Sequence, residues 1–284
     1  MRLYEFYGDS KGSAICLGDF DGVHKGHRRV FAEASKTGDW GALLFTHNSK
    51  GEKEILTLSE KLELLKKLGA KYALAADFEK ELKSKSPGEF VEVIASFKVR
   101  TVAVGYDYRF GKGAEGDVSL LKELCSKRGI DVIVAEVFED NKEPVKSTKI
   151  RALIKNGDIS EANRLLDSPY IISGKVVKGL GNGKVLGFPT ANIEVSEYKL
   201  LPCDGVYKGK VGDKSAVVNV GKNPTFEAKR RTVEVHIVGE EKDLYGKDIT
   251  VQIIDRIRDE IKFEKKEELI LQIKRDIESI KGEK

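Results

Sequence analysis

The hydrophobic pattern of this chain changes near residue 165, and that change constrains the fold more than any other feature. Before it, short apolar runs alternate with segments that carry apolar residues at helical spacing. After it, strand-like runs follow one another with only Gly, Asn, Asp and Pro turns between them, up to a final amphipathic stretch at 264–281. The two parts are therefore expected to form domains of different fold class.

The first part predicts an α/β domain. Strands are expected at 14–18, 42–46, 72–76, 99–105 and 130–137. Helices between them are marked by a capping box at Thr57–Glu60, by Ser86 before Pro87, and by Asp117. Strands that alternate with helices in this way form right-handed βαβ units, so the sheet should be mainly parallel.

The second part predicts an antiparallel sheet or a small barrel with a terminal helix. Its strands are expected at 171–178, 205–211, 215–220, 232–238 and 249–255. Helical material is expected at about 146–167, near the change of pattern. We therefore place the domains at residues 1–165 and 166–284.

Composition excludes several classes of protein. Of 284 residues, 40% are hydrophobic, which is enough to build a core. There is no run of 18 apolar residues and no signal-like start, so we expect a cytoplasmic protein without a membrane span. The net charge of +4 is shared evenly by the two parts, which gives nucleic-acid binding little support. The three cysteines lie far apart, which argues against a disulfide framework or zinc site.

The densest motif of the first part is GDFDGVHKGH at 18–27, between the first strand and the first helix. A helix that begins after a parallel strand presents free N–H groups and a positive dipole end to a phosphate. The backbone can approach a ligand at three glycines of the motif: Gly18, Gly22 and Gly26. His24 and His27 add donors for a phosphoryl group whose charge grows during transfer.

A second basic element, KSTKIR at 146–151, combines hydroxyls and cations at the start of a helix. Ser147, Thr148 and Arg151 could hold a triphosphate tail and a leaving pyrophosphate.

These segments, together with VGYDYRFG at 104–111, resemble the adenylyltransferase module of the bifunctional riboflavin kinase/FAD synthetases of prokaryotes. The resemblance implies a Rossmann-like nucleotidyltransferase domain with a parallel sheet. It also implies that His24 and His27 are catalytic, that Arg151 acts with Ser147 and Thr148 on the outer phosphates, and that Asp107 faces the flavin.

The second part contains a glycine-rich segment at 174–192 that ends in LGFPTAN. Gly179, Gly181 and Gly183 would form a loop that covers phosphates. Thr190 and Asn192 offer hard oxygen ligands, which suit Mg²⁺.

LGFPTAN and the segments at 205–207, 219–226, 233–236, 244–246 and 257–263 resemble, in the same order, the antiparallel β-barrel of riboflavin kinases. The resemblance implies that Glu234 is the general base and that Lys184 lies near the phosphates. The residues it places against the flavin are Arg258, Glu260 and Phe263. His236 lies on the same strand face as Glu234, and its role as a structural or supporting residue stays open.

The sequence therefore predicts an enzyme that makes FMN from riboflavin and Mg²⁺-ATP, and then FAD and pyrophosphate from FMN and a second ATP. Its partners would be these small molecules, not nucleic acid or membrane, and the oligomeric state stays open. One alternative keeps a single activity, because Asp19 and Lys146 differ from the residues common in the family. Another is a nucleic-acid-binding barrel beside a nucleotide-binding sheet.

Overall fold

The structure is a computed structural model that describes residues 1–6, 14–49, 51–179, 183, 186–222, 231–240 and 242–281. The chain forms two compact units, Met1–Ser147 and Thr148–Lys284. The helical segment expected at about 146–167 therefore lies, beyond Ser147, in the second unit. The domain boundary at residue 165 stays a prediction.

The first unit is built on a six-stranded sheet in the order β1-β4-β3-β2-β5-β6. Its strands are β1 Arg2–Glu5, β2 Ala14–Leu17, β3 Trp40–Phe45, β4 Tyr72–Ala76, β5 Thr101–Gly105 and β6 Asp131–Ala135. Five strands are parallel, as the pattern predicts, and β1 pairs antiparallel with β4 at the edge. The short, mostly exposed β1 has no apolar pattern, which is why the sequence did not indicate it.

The helices of this unit begin where local sequence predicts. They are α1 Lys25–Ser35, α2 Leu58–Lys67, α3 Pro87–Ser96 and α4 Val118–Ser126. Thr57 and Ser86 each form a reciprocal capping box, and the Asp117 side chain accepts the Leu120 N–H. A π-helical turn at Phe78–Leu82, a 3₁₀ turn at Lys112–Ala114 and a small hairpin, β7 Glu139–Asp140 with β8 Glu143–Pro144, complete the unit.

The second unit is a closed barrel in the order β10-β13-β12-β11-β14-β9. Its strands are β9 Tyr170–Val177, β10 Ala191–Val195, β11 Gly205–Val211, β12 Lys214–Lys222, β13 Arg231–Ile237 and β14 Asp248–Arg258. The helices are α5 Ser147–Asn156, which begins at the last residue of the first unit, α6 Ile159–Leu166 and the terminal α7 Lys266–Lys281. The barrel and terminal helix confirm the predicted class.

Closure of the barrel depends on β10, which the sequence pattern did not show as a strand. This strand pairs antiparallel with β9 on one side and β13 on the other. Only Ile193 of its five residues is buried, so the strand lacks a repeated apolar face. Within the described residues, no helix is both long and apolar enough to cross a membrane.

Candidate active sites

The loop between β2 and α1 is held in an uncommon backbone conformation. Phe20 and Val23 both have φ of 47°, and Gly22 has φ of 88°. Positive φ is a rare conformation for a β-branched residue and costs roughly 1–3 kcal/mol per residue. The side chains of Phe20 and Val23 are buried, so core packing fixes the strained turn. The loop therefore presents α1 in one defined position.

The two histidines of this loop lie against each other at the start of α1. His24 is the N-cap residue, and its Nδ1 accepts the backbone N–H of His27 at 3.4 Å. Their imidazole rings stack with centroids 3.6 Å apart. The structure thus brings together the pair that the motif singled out.

Both imidazoles are held neutral. Burial lowers the pKa of His24 to about 4. Burial, and then the charges of His24 and Lys61, lower the pKa of His27 well below its usual value. Because Nδ1 of His24 is a hydrogen-bond acceptor, its single proton must lie on Nε2. The site therefore offers neutral N–H donors rather than fixed imidazolium charges.

The burial of His24 predicts a pH effect on stability. The unfolded chain protonates this imidazole below about pH 6.5, whereas the folded chain resists until about pH 4, so stability falls across that window. Between pH 7.5 and 5.0 we expect His24 to lower the free energy of unfolding of the first unit by about 2 kcal/mol. Denaturant titrations at both pH values measure this effect. The loss of unfolding free energy from pH 7.5 to 5.0 should be smaller by that amount in His24→Gln than in the wild-type protein.

The comparison with His24→Gln is needed because Glu54 titrates in the opposite sense. Burial raises the pKa of Glu54 to about 7, so the folded chain binds a proton that the unfolded chain releases, and stability rises as pH falls below 7. If the unfolding free energies of the wild-type protein and His24→Gln depended equally on pH, His24 would not be buried and neutral.

The start of α5 lies beside the same loop. Ser147 Oγ donates to the backbone carbonyl of Asp21 at 2.8 Å. A Cβ on Gly26 would lie 3.5 Å from the backbone carbonyl of Val145. The predicted phosphate residue Ser147 and the histidine loop are thus neighbours. The other two predicted phosphate residues, Thr148 and Arg151, belong to the second unit, where Thr148 is exposed and Arg151 is buried.

Asp107 lies in the turn after β5 and is exposed. Because β2 and β5 are parallel neighbours, this turn and the histidine loop follow the same edge of the sheet. A contact of Asp107 with flavin stays a prediction.

The sequence did not indicate the role of Asp21, which holds the loop between β2 and α1 in place. Asp21 is buried, and its carboxylate accepts the backbone N–H groups of Ile55, at 2.8 Å, and Leu56, at 3.4 Å. This joins the histidine loop to the segment that leads into α2. The position of Asp21 inside the motif was the available signal.

The second cluster lies on three neighbouring strands of the barrel. Glu234 on β13 is paired in register with Asn192 on β10 and with Asn219 on β12. Val233 and Val235 are buried in the barrel, so Glu234 points to the opposite face. Burial raises its pKa above the usual value. Glu234 therefore lies between Asn192 and Asn219 on the neighbouring strands, and its raised pKa makes the carboxylate a stronger base.

The glycine-rich segment packs directly against the proposed metal ligands. A Cβ on Gly179 would lie 2.0 Å from the Asn192 amide nitrogen. A Cβ on Gly183 would lie 2.4 Å from the Phe188 carbonyl oxygen and 3.0 Å from Thr190 Oγ1. Only glycine permits these approaches. Two further predicted residues, Gly181 and Lys184, lie outside the described residues.

His236 supports the turn that carries Thr190. Its Nδ1 is 2.9 Å from the backbone carbonyl oxygen of Pro189, and its ring meets the Phe188 ring edge-on with centroids 5.8 Å apart. These contacts favour a supporting role over direct contact with substrate.

The residues predicted to contact flavin occupy the end of β14 and the segment after it. Arg258 directs Nε and Nη2 to the buried carboxylate of Asp276 on α7, and Nη1 to the Asp259 carbonyl. Glu260 lies against Gly221, where a Cβ would be 1.8 Å from its carboxylate. Phe263 is half-buried. Arg258 thus has a structural partner, and flavin contact at these positions stays a prediction.

Comparisons with known proteins identify the families that the two parts of the chain match. A family model described as riboflavin kinase matches residues 166–282, and one described as FAD synthetase matches residues 7–149. The bifunctional riboflavin kinase/FMN adenylyltransferase of Escherichia coli (strain K12) is 33% identical, over 94% of this chain and 91% of the relative. Its counterpart in Bacillus subtilis (strain 168) is 32% identical, over 93% and 90%.

One solved structure matches nearly the whole chain. It is that of a protein from Streptococcus pneumoniae described as a macrolide-efflux protein, and it has a TM-score of 0.85 at 31% identity, over 98% of this chain and 96% of that one. The description applies to the Streptococcus pneumoniae protein, and the likeness concerns the fold.

Proposed function

The chain belongs to the family of bifunctional riboflavin kinase/FMN adenylyltransferases, and from that premise we propose how its residues divide the two reactions. The barrel, within residues 166–284, phosphorylates riboflavin to FMN with ATP. The α/β domain, within residues 1–165, transfers AMP from a second ATP to FMN and releases pyrophosphate. The observation that supports this division is that the stacked pair His24 and His27 lies in the first unit, whereas Glu234 lies in the second, in register with Asn192 and Asn219.

In the kinase reaction, Glu234 accepts the proton of the riboflavin 5′-hydroxyl as that oxygen attacks the γ-phosphorus of ATP, and ADP leaves. A raised pKa suits this role, because a base works best when its pKa approaches the working pH. The glycines at 179 and 183 let the backbone lie close to the groups that hold the nucleotide.

Thr190 and Asn192 fit a divalent cation, and we propose Mg²⁺. Both offer neutral oxygen ligands, and both lie against the glycine segment that would cover the phosphates. When bound with ATP, the cation neutralises charge on the phosphates. Asn192 also lies beside Glu234, which sets the base next to the nucleotide.

In the adenylyltransferase reaction, a phosphate oxygen of FMN attacks the α-phosphorus of ATP. His24 and His27 donate N–H groups to the oxygens of the α-phosphoryl group as their charge grows. Ser147, Thr148 and Arg151 hold the outer phosphates, which leave as pyrophosphate. The N-terminus of α1 adds its dipole to the same charge.

Paired assays test the proposal. Riboflavin with ATP and Mg²⁺ should give FMN and then FAD, and FMN with ATP should give FAD and pyrophosphate, all resolved by chromatography. If FMN formed without FAD, only the kinase activity would remain. If neither product formed, the proposal would be rejected. Salt-sensitive binding of RNA or DNA without product would favour the nucleic-acid alternative. We place these reactions in the cytoplasm, where ATP is supplied.

A further inference from the structure

A linking segment without regular secondary structure, residues 259–265, joins the last barrel strand, β14, to the terminal helix, α7. Most of its side chains are exposed, and the apolar side chain of Ile261 is 49% exposed. A segment of this kind buries little of its own surface, so contacts with its neighbours must set its position. The structure shows two such contacts, one made by Arg258 and one by Glu260.

The first contact joins Arg258, the last residue of β14, to Asp276 on α7. Nε of Arg258 lies 3.1 and 3.2 Å from the two carboxylate oxygens of Asp276, and Nη2 lies 2.7 Å from Oδ2. Gln272, one turn earlier on α7, donates its amide N–H to Oδ1 at 2.8 Å. Asp276 is 2% exposed, and the guanidinium is largely shielded from water as well. A paired charge in such a place is costly to leave without its partner.

The same guanidinium fixes the start of the linking segment. Nη1 of Arg258 donates to the backbone carbonyl of Asp259 at 2.9 Å. Because a guanidinium is planar, the direction of Nη1 is set once Nε and Nη2 are bound to the carboxylate. The carboxylate on the helix therefore determines, through one rigid group, the direction in which the backbone continues to Glu260.

The second contact places Glu260 against β12. Its carboxylate occupies the place where a side chain on Gly221 would begin. Gly221 pairs with Thr232 on β13, and two residues earlier on β12 Asn219 pairs with Glu234. Residues two apart on a strand, and residues paired across strands, point to the same face of a sheet. Glu260 therefore lies on the barrel face that carries Glu234, about 7 Å along β12 from the Asn219 pair.

We propose that Asp276 is a positioning residue of the riboflavin kinase site. Through Arg258 it holds the linking segment so that Glu260 borders the space beside Glu234, where riboflavin brings its 5′-hydroxyl. Asp276 contacts neither the base nor the phosphates, so its effect falls on the binding of riboflavin more than on proton transfer. This inference rests on the proposed role of Glu234, but the binding of riboflavin can be measured without any reaction.

The first test removes the charge of Asp276 with little change of shape. In the full-length Asp276→Asn protein, we expect the KM for riboflavin to rise roughly 5- to 20-fold at saturating Mg²⁺-ATP, with kcat for FMN formation within about threefold of wild type. Titration of riboflavin fluorescence in the presence of Mg²⁺-ADP should show a matching loss of affinity. Asp248→Asn makes the same change at an exposed position of β14 and should behave as wild type. An unchanged KM for riboflavin in Asp276→Asn would overturn the proposal.

A second pair of variants separates the ion pair from the packing of the helix. Ile280→Val removes one methylene group from the buried face of α7 and leaves the ion pair intact, so the KM for riboflavin should stay at the wild-type value. Arg258→Gln breaks the link, and in that background Asp276→Asn should change the KM by less than about twofold. The proposal fails if Ile280→Val raises the KM as much as Asp276→Asn, or if the Asp276→Asn effect is the same in both backgrounds.

The position of Glu260 is tested from the barrel side. Gly221→Ala places a methyl group where the Glu260 carboxylate lies, so that carboxylate must move while the ion pair stays intact. We expect the KM for riboflavin to rise as it does in Asp276→Asn. Gly88→Ala adds the same methyl group at a site with no atom within 4 Å and should leave both activities unchanged. A wild-type KM in Gly221→Ala would show that Glu260 does not border the riboflavin site.

Formation of FAD from FMN by the other unit is the internal control in every variant and should stay at the wild-type rate. If Asp276→Asn does not fold, Asp276→Glu keeps the charge but displaces the carboxylate by one methylene group, and the same rise in KM is expected. A wild-type KM in Asp276→Glu would then overturn the proposal. If the wild-type protein makes no FMN, the proposed function fails, and the fluorescence titrations alone decide whether Asp276 supports the binding of riboflavin.

Discussion

Glu234→Gln is expected to abolish the formation of FMN from riboflavin while leaving the conversion of FMN to FAD unchanged. The amide has nearly the shape of the carboxylate but cannot accept the proton of the 5′-hydroxyl at neutral pH. Loss of a general base costs roughly 10²- to 10⁴-fold in kcat. The side chain lies between Asn192 and Asn219, and an amide can still hydrogen-bond there, so the barrel should keep its register.

The matched control is Glu194→Gln, an exposed glutamate on β10 of the same barrel. It makes the same chemical change two residues along the strand from Asn192, at a position paired with Lys175 and not with Glu234, and should leave both activities within about twofold of wild type. Initial rates with saturating ATP and varied riboflavin measure the effect on kcat and KM. Riboflavin phosphorylation by Glu234→Gln within tenfold of wild type would assign the base to another residue.

The pH profile of the kinase gives a second view of the same carboxyl. Burial raises the pKa of Glu234, so the acidic limb of the pH profile, on which activity rises with pH, should lie above the usual range of a glutamic acid. That limb should be absent from the residual activity of Glu234→Gln.

Features that depend on short stretches of sequence were predictable. The sequence predicted a capping box at Thr57 and an N-cap at Ser86 before Pro87, and the structure confirms both. The strand–turn–helix setting of His24 and His27 is equally local, and the structure brings the two rings into contact. Local hydrogen bonding and one turn of helix are enough to determine these features.

Features that depend on distant pairing were not predictable. β10 forms because it pairs with β9 and β13 on its two sides. Its own residues show little alternation of apolar and polar side chains. Lys61 and Glu54 read as solvent-facing charges in the sequence, and only the packing of α2 buries them. The bond between Arg258 and Asp276 spans 18 residues, so the pattern around Arg258 could not show that its guanidinium already has a partner.

His27→Ala is expected to produce the opposite separation of activities. Removing the imidazole removes one N–H donor from the α-phosphoryl group, and loss of one such donor costs roughly 10²- to 10³-fold in kcat. The KM for FMN should change little, because the donor matters most when charge grows on the phosphoryl oxygens. Riboflavin phosphorylation should stay at the wild-type rate, since Glu234 and its neighbours belong to the other unit.

His27→Gln separates the donor from the ring. The imidazole is held neutral, so its contribution is a hydrogen bond and not a charge, and the glutamine amide can supply an N–H from a similar position. We expect His27→Gln to keep clearly more FAD synthesis than His27→Ala. Equal loss in both would indicate that the stacked ring itself, packed against His24 at 3.6 Å, matters more than its proton. Loss of riboflavin phosphorylation in His27→Ala would contradict separate sites, because it would require one set of groups to serve both reactions.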